Sequence, residues 1–210
     1  MESNIIKNEN LASFEKIAVI GAAQASKTLA MIVGQPVKVV VVKNRVLFPT
    51  TLYQHIGEAE EAFTMVVFRI ERVTNGFALV AFPEQDGDKF GEMVRARYNK
   101  GSADVKNDQR KEQADYSKES IIKETSNIIV GSFLSAIHKE IKINLIQSVP
   151  NIATDMIKAM MDEIIAEISQ TSQNILVFET KLIIKPNDIH GKFFLISDSE
   201  SANEMLQSRT

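Results

Sequence analysis

The stretch Ser117–Glu140, SKESIIKETSNIIVGSFLSAIHKE, decides how the rest of the chain is read. On a helical wheel Ile121, Ile122, Ile129, Phe133, Ala136 and Ile137 share one broad apolar face, so the segment is expected to be an amphipathic helix. Ser120, Glu124, Asn127 and Gly131 fall on the opposite side, each three or four residues after the last, in one narrow stripe. Asn competes with the helix for backbone hydrogen bonds, so packing alone gives no reason for it there. A carboxylate and a carboxamide one turn apart, with glycine a further turn on, can hold a small ligand or a water at a partner's surface. The other reading is a solvated helix face, the commoner origin of an E-x-x-N spacing.

Outward from this helix the chain has a repetitive plan. Ala12–Val33, ASFEKIAVIGAAQASKTLAMIV, reads as a largely buried helix that ends at Gly34, Gln35 and Pro36. Val37–Val42 is a β-branched run expected to form a strand covered on both faces. Phe48–Glu61 is irregular. Phe63–Glu71 and Phe77–Phe82 are expected to be strands joined at Thr74-Asn75-Gly76, and Asp88–Tyr98 a helix. In the second part Ile141–Ile146 reads as a short strand, and Thr154 as the N-cap of a helix that turns Ile157, Met160, Met161, Ile164, Ile165 and Ile168 inward. Asn174–Ile184 and Lys192–Ile196 form a second strand pair, and Ser199–Gln207 closes the chain as a helix.

Each half is thus helix, strand, insert, strand, strand, helix, an internal repeat. The expectation is one domain over residues 1–210, with pseudo-repeat halves 11–99 and 116–208 and a polar linker at 100–115 that contains GSADVKNDQRKEQA. The expected fold is α/β (α+β): two pseudo-symmetric α-β-β-β-α type halves share one antiparallel-rich sheet, with the two long helices on one of its faces. Laying Val19-Ile20 on Asn127-Ile128 brings the long helices into register. Small and apolar positions correspond, but the polar stripe does not, because Ser120, Glu124 and Asn127 meet Ala12, Lys16 and Val19. One copy holds the polar constellation and the other has lost it.

A net charge of −3 gives no reason to expect nucleic acid or an anionic membrane as partner. With no cysteine, disulfides, iron–sulfur clusters and thiolate zinc sites are excluded. The N-terminus MESNIIKNEN lacks the form of a signal peptide, and the apolar run Ile17–Val33 is broken by Gly21, Gln24, Ser26 and Lys27, so a cytoplasmic protein is expected. His55, His138 and His190 are scattered without a paired acid at ligand spacing, so no metal site is expected. His138 shares the wheel angle of Asn127 three turns away. Asp86, Asp88, Asp162 and Glu163 are acid pairs of the kind usual on exposed turns and helix faces. There is no nucleophile elbow, Walker loop or dinucleotide fingerprint.

A long helix with Asp/Ser-x3-Glu-x2-Asn, here Ser120, Glu124 and Asn127, followed two dozen residues later by Pro150, resembles the CheC/CheX/FliY family of chemotaxis phosphatases. SIIKETSNIIVGSFLSAI, IATDMIKAMMDEIIAEIS and QNILVFETKLII carry the likeness, as does FEKIAVIGAAQASKTLAMIVGQPV in the first half. It covers nearly the whole chain, in the length and two-copy layout of CheC. The resemblance implies hydrolysis of the phosphoaspartate on a CheY-like response regulator. Glu124 would pair with the receiver's active-site lysine, and Asn127 would orient a water in line with phosphorus. Ser120 and Gly131 would support docking. The magnesium would be the receiver's, so this chain needs no cofactor of its own. The first copy departs from the pattern, since Lys16 cannot replace the acid and Val19 cannot hold water. The CheC branch also implies binding of the deamidase CheD, here through the helix read at Asn151–Ile168 with its Met160 and Met161. The other class of function is a non-catalytic adaptor that binds a receiver or CheD.

Overall fold

The computed structural model describes residues 8–58, 60–71, 76–103 and 117–207. In chain order the elements are α1 (Asn8–Val33), β1 (Val37–Leu47), a 3-10 turn at Pro49–Thr51, α2 (Tyr53–Ile56), β2 (Ala62–Glu71), β3 (Gly76–Pro83) and α3 (Glu84–Ala103). After α3 come α4 (Lys118–Ile141), β4 (Ile146–Gln147), β5 (Asn151–Met156), α5 (Ile157–Thr171), β6 (Ile175–Ile184), β7 (Ile189–Asp198) and α6 (Ser199–Gln207).

One seven-stranded sheet runs in the order β1-β6-β7-β3-β2-β4, with β5 also paired to β2, and every pairing is antiparallel. The halves exchange their outer strands. β1 of the first half pairs with β6 of the second, while β5 of the second pairs with β2 of the first, and β3 meets β7 at the pseudo-symmetric centre. The expected two-half antiparallel fold is therefore present, and its halves are interlaced.

Strand alternation sends side chains to two cores. Val66, Phe68, Ile70, Ala78, Val80 and Phe82 join Phe14, Ile17, Leu29, Phe133 and Ile137 of the long helices on one face. Met65, Phe77, Leu79, Val177 and Phe194 join Ile157, Met161, Ile164 and Ile168 of α5 on the other. Each large apolar side chain removed from water contributes about 1.5–3 kcal/mol, so both faces need a cover. The long helices cross where α1 offers Gly21, at which an added Cβ would stand 2.7 Å from the Phe133 ring. Phe133 in turn packs at a tilt against Phe178 and Phe193 of the sheet, with centroids 5.6 and 4.5 Å away. By length and composition Leu11–Val33 is apolar enough to cross a membrane. Here Phe14, Ile17, Ala18, Ala22, Ala25, Leu29 and Val33 are buried against α4 and the sheet, so it is the core helix expected from its sequence.

Several boundaries differ from expectation. Residues 151–156 are not the start of a helix. They form β5, which completes the edge of β2 from Ala62↔Met156 to Val67↔Asn151, and Thr154 hydrogen-bonds Thr64 across that ladder (Oγ1–Oγ1 2.9 Å) instead of capping α5. The unpaired edge of β2 outweighs the local helical pattern. Ile141–Ile146 is not a strand either: α4 runs to Ile141, Lys142 closes it in the left-handed region (φ 61), and only Ile146 and Gln147 join the sheet. Residues 100–103 of the expected linker continue α3, since one glycine costs a helix only about 1 kcal/mol. The remainder of that linker, and Thr74 and Asn75 of the expected turn, lie outside the described residues.

Candidate functional site

Helix α4 begins at Ser117, whose hydroxyl accepts the Ser120 N–H at 3.2 Å as an N-cap. One face of the helix is locked into the core by Ile121, Ile122, Ile129, Val130, Phe133 and Ile137. The opposite face has no freedom to turn inward. Glu124 and Asn127 are exposed there, and Ser120 and Gly131 half-buried on either side. The four residues singled out by spacing therefore share one helix face in space. Pro150 stands just before β5 and lines a cleft of about 650 Å³ bounded by β2, β5 and α5.

Two neighbours of the stripe carried no signal in the sequence. Tyr98 of α3 lies close enough to Glu124 to respond to it: burial raises the phenol pKa above its ordinary value, and the Glu124 carboxylate raises it further. Gln147 of β4 donates from Nε2 to Asn127 Oδ1 at 2.6 Å and to the Asn127 carbonyl at 2.7 Å. A Cβ on Gly131 would come within 3.4 Å of the same Gln147 amide. Beside it lies a recess of about 290 Å³ lined in part by Gly131, Ser135, His138 and Gln147. His138 Nδ1 contacts the Ile143 carbonyl at 2.9 Å, which ties the end of α4 to the segment leading to β4.

On α1 the corresponding positions, Ala12, Lys16 and Val19, are all exposed. Val19 keeps 45% of its surface in solvent, so the first copy presents an apolar side chain where α4 presents Asn127, while Ile20 and its counterpart Ile128 are similarly exposed. Met160 and Met161 of α5 do not form a joint surface: Met161 is fully buried, while Met160 is partly buried and lines the cleft beside Pro150. Among the described residues no three His, Asp or Glu side chains gather as metal ligands.

Comparison with known proteins bears on the chain as a whole and on its fold. Over 205 residues the chain is 24% identical to the CheY-P phosphatase CheC of Bacillus subtilis (strain 168), covering 97% of this chain and 95% of that protein. The chain resembles the CheC/CheX/FliY family over its whole length. Its fold is that of FliY from Thermotoga maritima, with a TM-score of 0.70 at 16% identity and 98% of each chain covered. A chain of the FliM–SpeE complex from H. pylori is similar too, with a TM-score of 0.68 at 11% identity over 97% of this chain and 96% of that one. No family model matches the chain. The CheC-like fold explains why the two long helices share a face: each half contributes one, and the sheet beneath them is built from both halves.

Proposed function

We propose that this CheC-like chain hydrolyses the phosphoaspartate of a CheY-like receiver domain in chemotaxis signalling, with one working site on α4. The observation that carries the proposal is the exposed Glu124–Asn127 pair, one turn apart on a helix whose other face is fixed in the core. Glu124 docks by pairing with a lysine of the receiver, and Asn127 holds a water in line with phosphorus. The water oxygen bonds to phosphorus as the bond from phosphorus to the aspartyl oxygen breaks, and phosphate and a free carboxylate leave. A neutral amide suits this task, because phosphoryl transfer asks mainly for positioning and a carboxylate would repel the phosphoryl oxygens. The receiver brings its own magnesium. A cytoplasmic location belongs to this proposal, since a receiver would be met there. CheD is proposed as a second partner, seated on α5 near Met160.

One observation favours a second reading. The first copy has kept its packing and lost its stripe, so the same fold also suits a chain that binds a receiver without hydrolysing. Decay of phosphoryl label on a receiver separates the two. An enzyme accelerates it and an adaptor leaves the receiver's own rate unchanged.

A further inference from the structure

We infer that Gln147 is the positioning residue of the α4 site, holding the Asn127 carboxamide in the orientation that receives water. The inference rests on the phosphatase reading of Asn127. A carboxamide on an exposed helix face ordinarily samples several rotamers, and each must be given up before it can orient anything. Asn127 is held instead by both protons of one nitrogen: Gln147 Nε2 donates to its side-chain oxygen and to its backbone carbonyl. Such a carbonyl has a second lone pair to spare after its helical bond, and Asn127 Oδ1 likewise keeps one lone pair for a water proton. Nδ2 is left to donate outward.

Gln147 is itself anchored. Ile146 and Gln147 pair with Glu71 and Ile70 of β2, the Ser148 N–H donates to the Arg69 carbonyl at 2.9 Å, and the Arg69 N–H donates to Ser148 Oγ at 3.0 Å. The two-residue strand β4 thus transfers the rigidity of the sheet to a side chain above it. Gly131 lies directly beside the Gln147 amide, where an added Cβ would be in ordinary van der Waals contact at 3.4 Å. An ordered supporting group fixed to a rigid element is what a site of this kind needs to hold its geometry.

The test is Gln147→Leu, with Gln147→Met as a second variant that keeps the unbranched length and removes the amide. Steady-state dephosphorylation of a phosphorylated CheY-like receiver should show kcat down about tenfold, the worth of one rotamer-rich side chain left unordered, with KM unchanged. In the ¹⁵N–¹H spectrum of the free protein, the Asn127 side-chain amide pair should shift in both variants. An unchanged kcat overturns the inference. So does a raised kcat, which would mean that the contact withholds Asn127, or an amide pair indifferent to the substitutions. A wild-type protein with no activity at all would instead bring down the phosphatase reading and this inference with it, a result distinct from an active wild type with indifferent variants.

Discussion

Helices α1 and α4 solve the same packing problem with different surfaces. Both lie on one face of the sheet, cross at Gly21 and Phe133, and bury equivalent apolar positions. Their outer faces diverge: Ala12, Lys16 and Val19 on α1 against Ser120, Glu124 and Asn127 on α4. The difference continues inward. Where α1 buries Ile17 and Ala18, α4 buries Thr125 and Ser126, whose hydroxyls find no hydrogen-bond partner among the described residues. A buried hydroxyl without a partner costs about 1–3 kcal/mol. Helix α4 therefore carries polar groups, outside and in, that the shared packing does not require, and α1 shows what the helix looks like without them.

Short of removing Asn127 itself, the comparison is broken most severely at Glu124. Glu124→Gln should weaken docking to a phosphorylated receiver about tenfold, read as a raised KM with a smaller change in kcat, because a charge-assisted pair is lost. The same variant should lower the Tyr98 phenol pKa, which burial would still hold above its ordinary value of 10.0. Tyr98 stays protonated longer in the folded than in the unfolded chain. Its contribution is therefore constant below pH 10 and lost as pH rises beyond it, and absorbance titration reads the change. If the phenol does not move, Glu124 is not facing Tyr98 and the described site is wrong in that detail.

A smaller effect sharpens the contrast from inside. Thr125→Val removes a buried hydroxyl in favour of a methyl and should raise stability by about 1 kcal/mol in urea unfolding. A loss of that size would show that the hydroxyl has a partner and that α4 is not carrying an uncompensated polar group. Smallest of all is the change on α1. Lys16→Glu with Val19→Asn should alter stability by no more than about 0.5 kcal/mol, since both side chains are exposed. A larger loss would mean that the outer face of α1 is structural after all.

Much of the fold was legible because its signals are strong. The long helices show apolar residues at helical spacing, and the central strands are β-branched and aromatic runs. Register between the halves followed from laying Val19-Ile20 on Asn127-Ile128, which sets Ala23 against Gly131 and Leu29 against Ile137. The misread segments are those where tertiary pairing overrides local pattern. Residues 151–156 are mostly exposed, so no alternation marks them as a strand, and only the open edge of β2 makes them one. The IKINLI run alternates like a strand, yet its first residue belongs to α4 and Lys142 turns the chain away. The stripe itself was readable because i, i+4 and i+7 spacing is local. Gln147 and Tyr98 were not, because a partner twenty or more residues away on another element leaves no periodic trace.

The central claim is that Asn127 positions the attacking water, and the direct test is the decay of phosphoryl label on a cognate CheY-like receiver with wild type and with Asn127→Ala. The account predicts that wild type speeds decay, and that Asn127→Ala still binds the receiver but loses about a hundredfold of that acceleration. A receiver that binds both proteins and decays at its own rate with either would contradict it, and the chain would then be an adaptor.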